Sequence, residues 1–118
     1  MLENNQNPQI QVFCDGVLSI NGITRHDDGS ETLTVKHPLL RYDERTVGIN
    51  RFYNAKQESV EISLVLRVQR HDGISTQDVA VLSDGRQFHI RQVQHPKGVS
   101  PPCCDLSLER VVRDYELG

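Results

Sequence analysis

Five histidines, three cysteines and one acidic turn are the residues of this chain whose chemistry could do more than hold a fold. His26, His37, His71, His89 and His95 could ligate a transition metal or pass protons. None are spaced as HxH, HxxH or HExxH, and no CxxC joins them, so the spacing of a zinc centre is missing. Cys14, Cys103 or Cys104 could act as a nucleophile beside a histidine that only the fold brings near. No glycine-rich loop suited to an oxyanion hole flanks them, and catalysis is not expected. Adjacent Cys103 and Cys104 have no metal-ligand spacing and read as two small residues opening a strand. Asp27-Asp28-Gly29 looks like part of a calcium loop but lacks the remaining ligands and the bidentate glutamate, so it reads as a turn. Neither GxxxxGK[ST] nor GxGxxG occurs, and no phosphate cradle is indicated. The expectation is no enzyme, no metal and no cofactor.

The elements around these residues are strands. Val60, Ile62, Leu64, Leu66 and Val68 alternate with Glu61, Ser63, Val65 and Arg67, the period of a strand with one buried face. Asp84-Gly85 joins Val79–Leu82 to Phe88–Val93 as a hairpin. Phe88 and Ile90 share a face, but Gln92 falls where an apolar residue is due, so a β-bulge is expected near Arg91-Gln92. By the same alternation His89 faces outward. Leu106 and Leu108 mark a final strand. Upstream, residues 9–13 and 17–20 form a hairpin or one interrupted strand, and Thr32–Val35 is strand-like. His37-Pro38 is expected to end that strand, because proline donates no ladder bond. His71-Asp72-Gly73 reads as a turn, and Ser75–Asp78 as a helical turn at most.

Residues 39–50 show no clear period. About a dozen irregular residues inside a compact domain often carry function. Residues 50–58 form the one helix candidate, with Asn50 as N-cap. Two uses of it stand side by side. Phe52 and Ala55 could anchor it to the core, while Arg51, Tyr53 and Lys56 could meet a partner, since arginine and tyrosine are favoured at interface centres.

The chain's 118 residues fit one domain, with residues 1–8 as a flexible arm and 113–118 as a flexible tail. A hydrophobic fraction of 36% implies a modest core, leaving area to be covered by neighbours. The formal net charge of −3 argues against a basic nucleic-acid surface. No run of 18 apolar residues could span a membrane, and no secretory pattern opens the chain. The odd cysteine count then suggests reduced thiols in a cytoplasmic setting. The fold expected is all-β: a small barrel of six to seven mostly antiparallel strands, with one short helix and long loops.

Four segments in order form a wider pattern: Arg51-Phe-Tyr-Asn-Ala-Lys-Gln, the strand at residues 60–68, Asp84-Gly85-Arg-Gln-Phe-His-Ile-Arg-Gln-Val-Gln, and Pro101-Pro102-Cys-Cys-Asp-Leu-Ser-Leu. Over residues 47–111 the chain resembles the head-closure (head–tail connector, or stopper) proteins of long-tailed bacteriophages and prophages. Phe88 replaces that family's usual tyrosine, and Cys103-Cys104 stand where small or polar residues are usual. The resemblance implies a structural virion protein at the head–tail interface, waiting in the host cytoplasm before assembly. It implies a ring of identical subunits, typically twelve, each monomeric alone. Portal or adaptor protein would lie on the head side and tail-terminator protein on the tail side. DNA would pass the channel without sequence-specific binding, and a loop, for which residues 39–47 are the candidate, would block its exit. Leu39, Leu40, Arg41, Tyr42, Arg45, Arg51, Tyr53 and Lys56 are the expected ring or partner interface. Two alternatives remain: a tail-completion protein on the same barrel, or an OB-like module binding single-stranded nucleic acid. For the latter only Phe52, Tyr53 and Phe88 could stack bases, and Phe88 reads as a buried residue.

Overall fold

The structure, a computed structural model, describes residues 9–45 and 62–117. Every regular element among them is a strand: β1 (Gln9–Ile10), β2 (Gly16–Arg25), β3 (Glu31–Arg45), β4 (Leu64–Gln69), β5 (Val79–Leu82), β6 (Gln87–Gln94), β7 (Val99–Ser100), β8 (Cys103–Arg110) and β9 (Glu116–Leu117). Hydrogen bonding runs β2-β5-β6-β8-β4-β3 and returns to β2, a barrel-like ring in which every neighbour is antiparallel. The all-β expectation holds. The helix candidate at residues 50–58 and the arm at residues 1–8 lie outside the described residues.

The period-2 pattern fills the ring. Leu18 and Ile20 from β2, Leu66 and Val68 from β4, Ala80 and Leu82 from β5, Phe88 and Ile90 from β6, and Cys104, Leu106 and Leu108 from β8 form one buried cluster. Six strands leave an interior narrow enough for side chains alone to fill. The phase slip in β6 is a bulge: Ile90 faces Leu108 while Gln92 faces Ser107, so Arg91 is the extra residue. Val93 therefore rejoins the core side. The β5–β6 turn is the short glycine hairpin expected, with Gly85 at φ 94° and its N–H bonded to the Leu82 carbonyl at 2.8 Å.

Three expectations need correction. Pro38 does not end its strand. Leu18 pairs with Leu40 and Ile20 with His37, so Pro38 and Leu39 together oppose Ser19. A bulge tolerates a residue with no N–H to donate. Consequently Leu39–Arg45, expected to be irregular and offered as part of the channel-blocking loop, is the second half of β3. Finally, β4 buries both faces at its centre: Val65 is 0% exposed and Arg67 only 7%.

Beyond the ring, β2 and β3 continue as an arm. β2 loses β5 after Asn21, so Gly22–Arg25 pair only with β3. At about 3.3 Å per residue the arm projects on the order of 13 Å before its turn. Gly29, at φ 89°, and the Asp28 carboxylate, which accepts from the Ser30 N–H at 2.9 Å, close that turn. A second bulge, between Ile20 and Asn21, leaves Lys36 unopposed on β2. Its ammonium bonds both Asp78 carboxylate oxygens at 2.9 Å and the Gly73 carbonyl at 2.7 Å, tying the arm's base to the β4–β5 loop. Toward the C-terminal end, where the sequence suggests a free tail, Glu116 and Leu117 pair in parallel with Thr32 and Leu33. Gln87 brackets Tyr115, accepting from its N–H at 2.8 Å and donating to its carbonyl at 2.9 Å.

Tyr42 is the residue where β3 changes partner, facing Gly16 on β2 and Val68 on β4. Its ring crosses Gly16 so closely that an added Cβ there would meet the Tyr42 hydroxyl at 2.6 Å. Gly16→Ala should cost about 1–3 kcal/mol, the range for overpacking. The loss should shrink sharply in a Tyr42→Ala background, measured as a double-mutant cycle by urea unfolding. An equal loss in both backgrounds would remove the contact as its cause.

Candidate functional site

The residues expected at an interface do not form one surface. Leu39 and Arg41 are exposed, Leu40 points into the core at 8% exposure, and Tyr42 packs against that core. Arg45 turns back to Asp43 at 3.3 Å. Arg51, Tyr53 and Lys56 lie outside the described residues. Alternation along a strand explains the division, since neighbours at odd spacing face opposite sides.

Leu39, Leu40 and Arg41 do share one feature. With Phe13, Gln69 and His71 they line a cleft of about 290 Å³. Beside it the His37 and His71 rings lie 5.1 Å apart between centroids, tilted by 41°, and the His37 Nε2 lies 3.1 Å from the Asp72 carbonyl. The walls combine apolar side chains, an amide, an imidazole and one guanidinium. Among the described residues they contain no carboxylate and no thiol or hydroxyl nucleophile. Such a cleft can hold an apolar side chain but assembles no acid–base pair.

Nothing elsewhere among the described residues gathers catalytic chemistry. No three His, Cys, Asp or Glu side chains converge on a possible metal position. Cys103 and Cys104 are free and buried, and burial pushes both thiols up, away from the reactive thiolate. Cys103 donates to the Pro101 carbonyl at 3.1 Å. Phe88, one of three aromatics proposed to stack bases, is 2% exposed, with Arg86 and Arg110 each 5.7 Å from its ring centre. It is a core side chain with a cationic lid, and Phe52 and Tyr53 fall outside the described residues.

The feature that pattern reading missed lies on the outside of the ring. Cross-strand register aligns Asp43 of β3, Arg67 of β4, Asp105 of β8 and Gln94 of β6 in one row. Arg67 grips Asp105 with two bonds, Nε to Oδ1 at 2.6 Å and Nη2 to Oδ2 at 3.0 Å. Hydrogen bonding to Asp105 raises the Arg67 pKa further, against the burial that lowers it. Cys103 and Ser107 on the same face are 0% and 1% exposed, and the Ser107 hydroxyl has no hydrogen-bond partner. Gln11 reaches over the row. Its side-chain oxygen accepts from Arg67 Nη1 at 3.0 Å, and its side-chain nitrogen donates to Asp43 Oδ2 at 3.1 Å. The available signal was Arg67 and Asp105 at outward positions of two strands that turned out to be neighbours. No family model matches the chain, and no curated protein matches it either.

Two measurements follow from this face and its neighbour on β6. Arg67→Ala strands Asp105 in a buried site and should cost about 3–5 kcal/mol in urea unfolding. Replacing both partners, Arg67→Met with Asp105→Leu, should cost far less, because no charge is left unpaired. Comparable losses in the two variants would refute the assignment.

His89, facing Glu109 and Val79 and edge-on to Tyr115, has its pKa lowered by burial and then by Arg91. A lowered imidazole pKa means the unfolded chain binds more protons below about pH 6.5, so His89 makes stability fall as pH drops through that window toward its folded pKa. His89→Gln should flatten the urea midpoint between pH 7 and 5.5, and an unchanged slope would discount His89.

Proposed function

We propose that this chain is a structural subunit of a tailed-phage or prophage virion, a head-completion protein that joins head to tail in a ring and closes the portal channel. One observation carries the reading. A ring of six strands already buries its own core, yet an arm extends past it with an apolar stripe the subunit leaves partly open. Ile23 of β2, Leu33 of β3 and Leu117 of β9 are register neighbours across that arm, and Val35 follows on the same face. Leu33 is 2% exposed, but Ile23 is 36%, Val35 57% and Leu117 70%. A projecting β arm with exposed apolar residues invites another chain, and ring neighbours would cover it.

Among the described residues the interior is filled by side chains, so a channel would have to lie between subunits. The same frame serves a tail-completion protein, which differs in partner and not in architecture. The acidic balance suits DNA sliding past without adhesion.

Negative-stain imaging of particles assembled without the protein is the test. Head closure predicts full heads that leak DNA, together with free tails. Intact, infectious particles would reject the reading, and complete heads with defective tails would move it to tail completion. Val35→Asp should leave the circular-dichroism spectrum strand-rich yet fail to restore joined particles. Full rescue would separate the arm from the joining function.

A further inference from the structure

Gln9–Val12 crosses the outside of the ring and is lightly held. The Gln9 N–H donates to the Gly98 carbonyl at 2.7 Å, and the Gln11 N–H donates to the Ser100 carbonyl at 2.9 Å. Its apolar residues add little, for Ile10 is 77% exposed and Val12 62%. Gln11 is the exception, 9% exposed, with its side-chain amide bridging Arg67 and Asp43. One carboxamide thus serves a guanidinium and a carboxylate together.

A seat with those two groups selects what fills it. An apolar side chain would leave both bonds unmade, at the cost of a buried Arg67 N–H without this acceptor. A carboxylate would face Asp43, and an ammonium would face Arg67. A carboxamide offers acceptor and donor from one planar group. The Gly98 and Ser100 carbonyls, two residues apart, further require an extended occupant whose alternate N–H groups point one way.

We propose that Gln9–Val12 is an exchangeable strap and that its seat takes the same strap from a second copy of this chain. A copy carries the required carboxamide and spacing by construction. The pivot lies just after the strap. Residues 11–14 belong to no strand. Asp15 is pinned, its N–H donating to the Tyr42 carbonyl at 2.9 Å and its carboxylate accepting from the Glu44 N–H at 2.7 Å. Exchange remakes every bond it breaks, so proximity and concentration decide between closed and swapped forms. The inference is independent of the head-joining role, since it follows from the seat alone.

Register supplies the test, because Ile10 faces Ser100. In a Cys14→Ser background, full-length chains bearing Ile10→Cys and chains bearing Ser100→Cys are mixed and mildly oxidised. A disulfide-linked pair should appear in the mixture, increase with protein concentration, and be absent from either chain alone. In parallel, a labelled peptide of residues 9–13 should bind the full-length Gln11→Ala chain. The same peptide with alanine for Gln11 should bind roughly tenfold or more weakly, the loss expected for hydrogen bonds to charged groups. No linked pair at any concentration, while a chain carrying both cysteines closes internally, would overturn exchange. Equal binding of the two peptides, or no binding to a Gln11→Ala chain that keeps its strand spectrum, would overturn the seat.

Discussion

Closure of the ring rests on one strand serving two neighbours. β3 pairs with β2 along most of its length and with β4 at its end, and Tyr42 belongs to both ladders. This is open to any strand whose two edges are both used, because alternate backbone groups point to opposite edges. The two bulges around Pro38 and Lys36 add twist where β3 and β2 run together. The glycine opposite Tyr42 lets the aromatic ring lie over the junction, where a side chain would displace it.

The core and outer face divide the work differently from a simple sandwich. Inside, aliphatic side chains and Phe88 fill a narrow ring. Outside, the faces of β4 and β8 are as dry as the core, yet carry Arg67, Asp105, Ser107 and Cys103. A buried ion pair of this kind is weak support for stability and stronger support for specificity, since a mispaired register leaves charges unmet. Here it sets what may lie across it: the carboxamide of Gln11 completes the row, and the strand carrying that residue gains its position from it.

Much of the ring was readable in advance, for identifiable reasons. Asp84-Gly85 encodes a turn because glycine alone adopts positive φ without strain. The slip from Ile90 to Gln92 encodes a bulge, because side chains alternate strictly and an extra residue must shift the phase. Pro38 misled because its rule concerns donors, and a bulge supplies a place where no donor is needed. Residues 39–45 looked irregular because that strand changes partners, and the side that is buried changes with them. Leu40, grouped in advance with exposed Leu39 and Arg41, is a core residue because side chains alternate along the strand.

Local order in this chain, then, is a property of its sequence: which segments are extended, where they turn and where one slips a residue. Those follow from backbone sterics and two-residue alternation, which neighbouring residues settle among themselves. Tertiary structure alone decided which strands meet, and with that the ion pair of Arg67 and Asp105, the bridge from Gln11, and the arm left beyond the ring. The ion pair and the bridge join residues far apart in the chain, and strand pairing across such separations depends on how the whole ring closes rather than on any local preference.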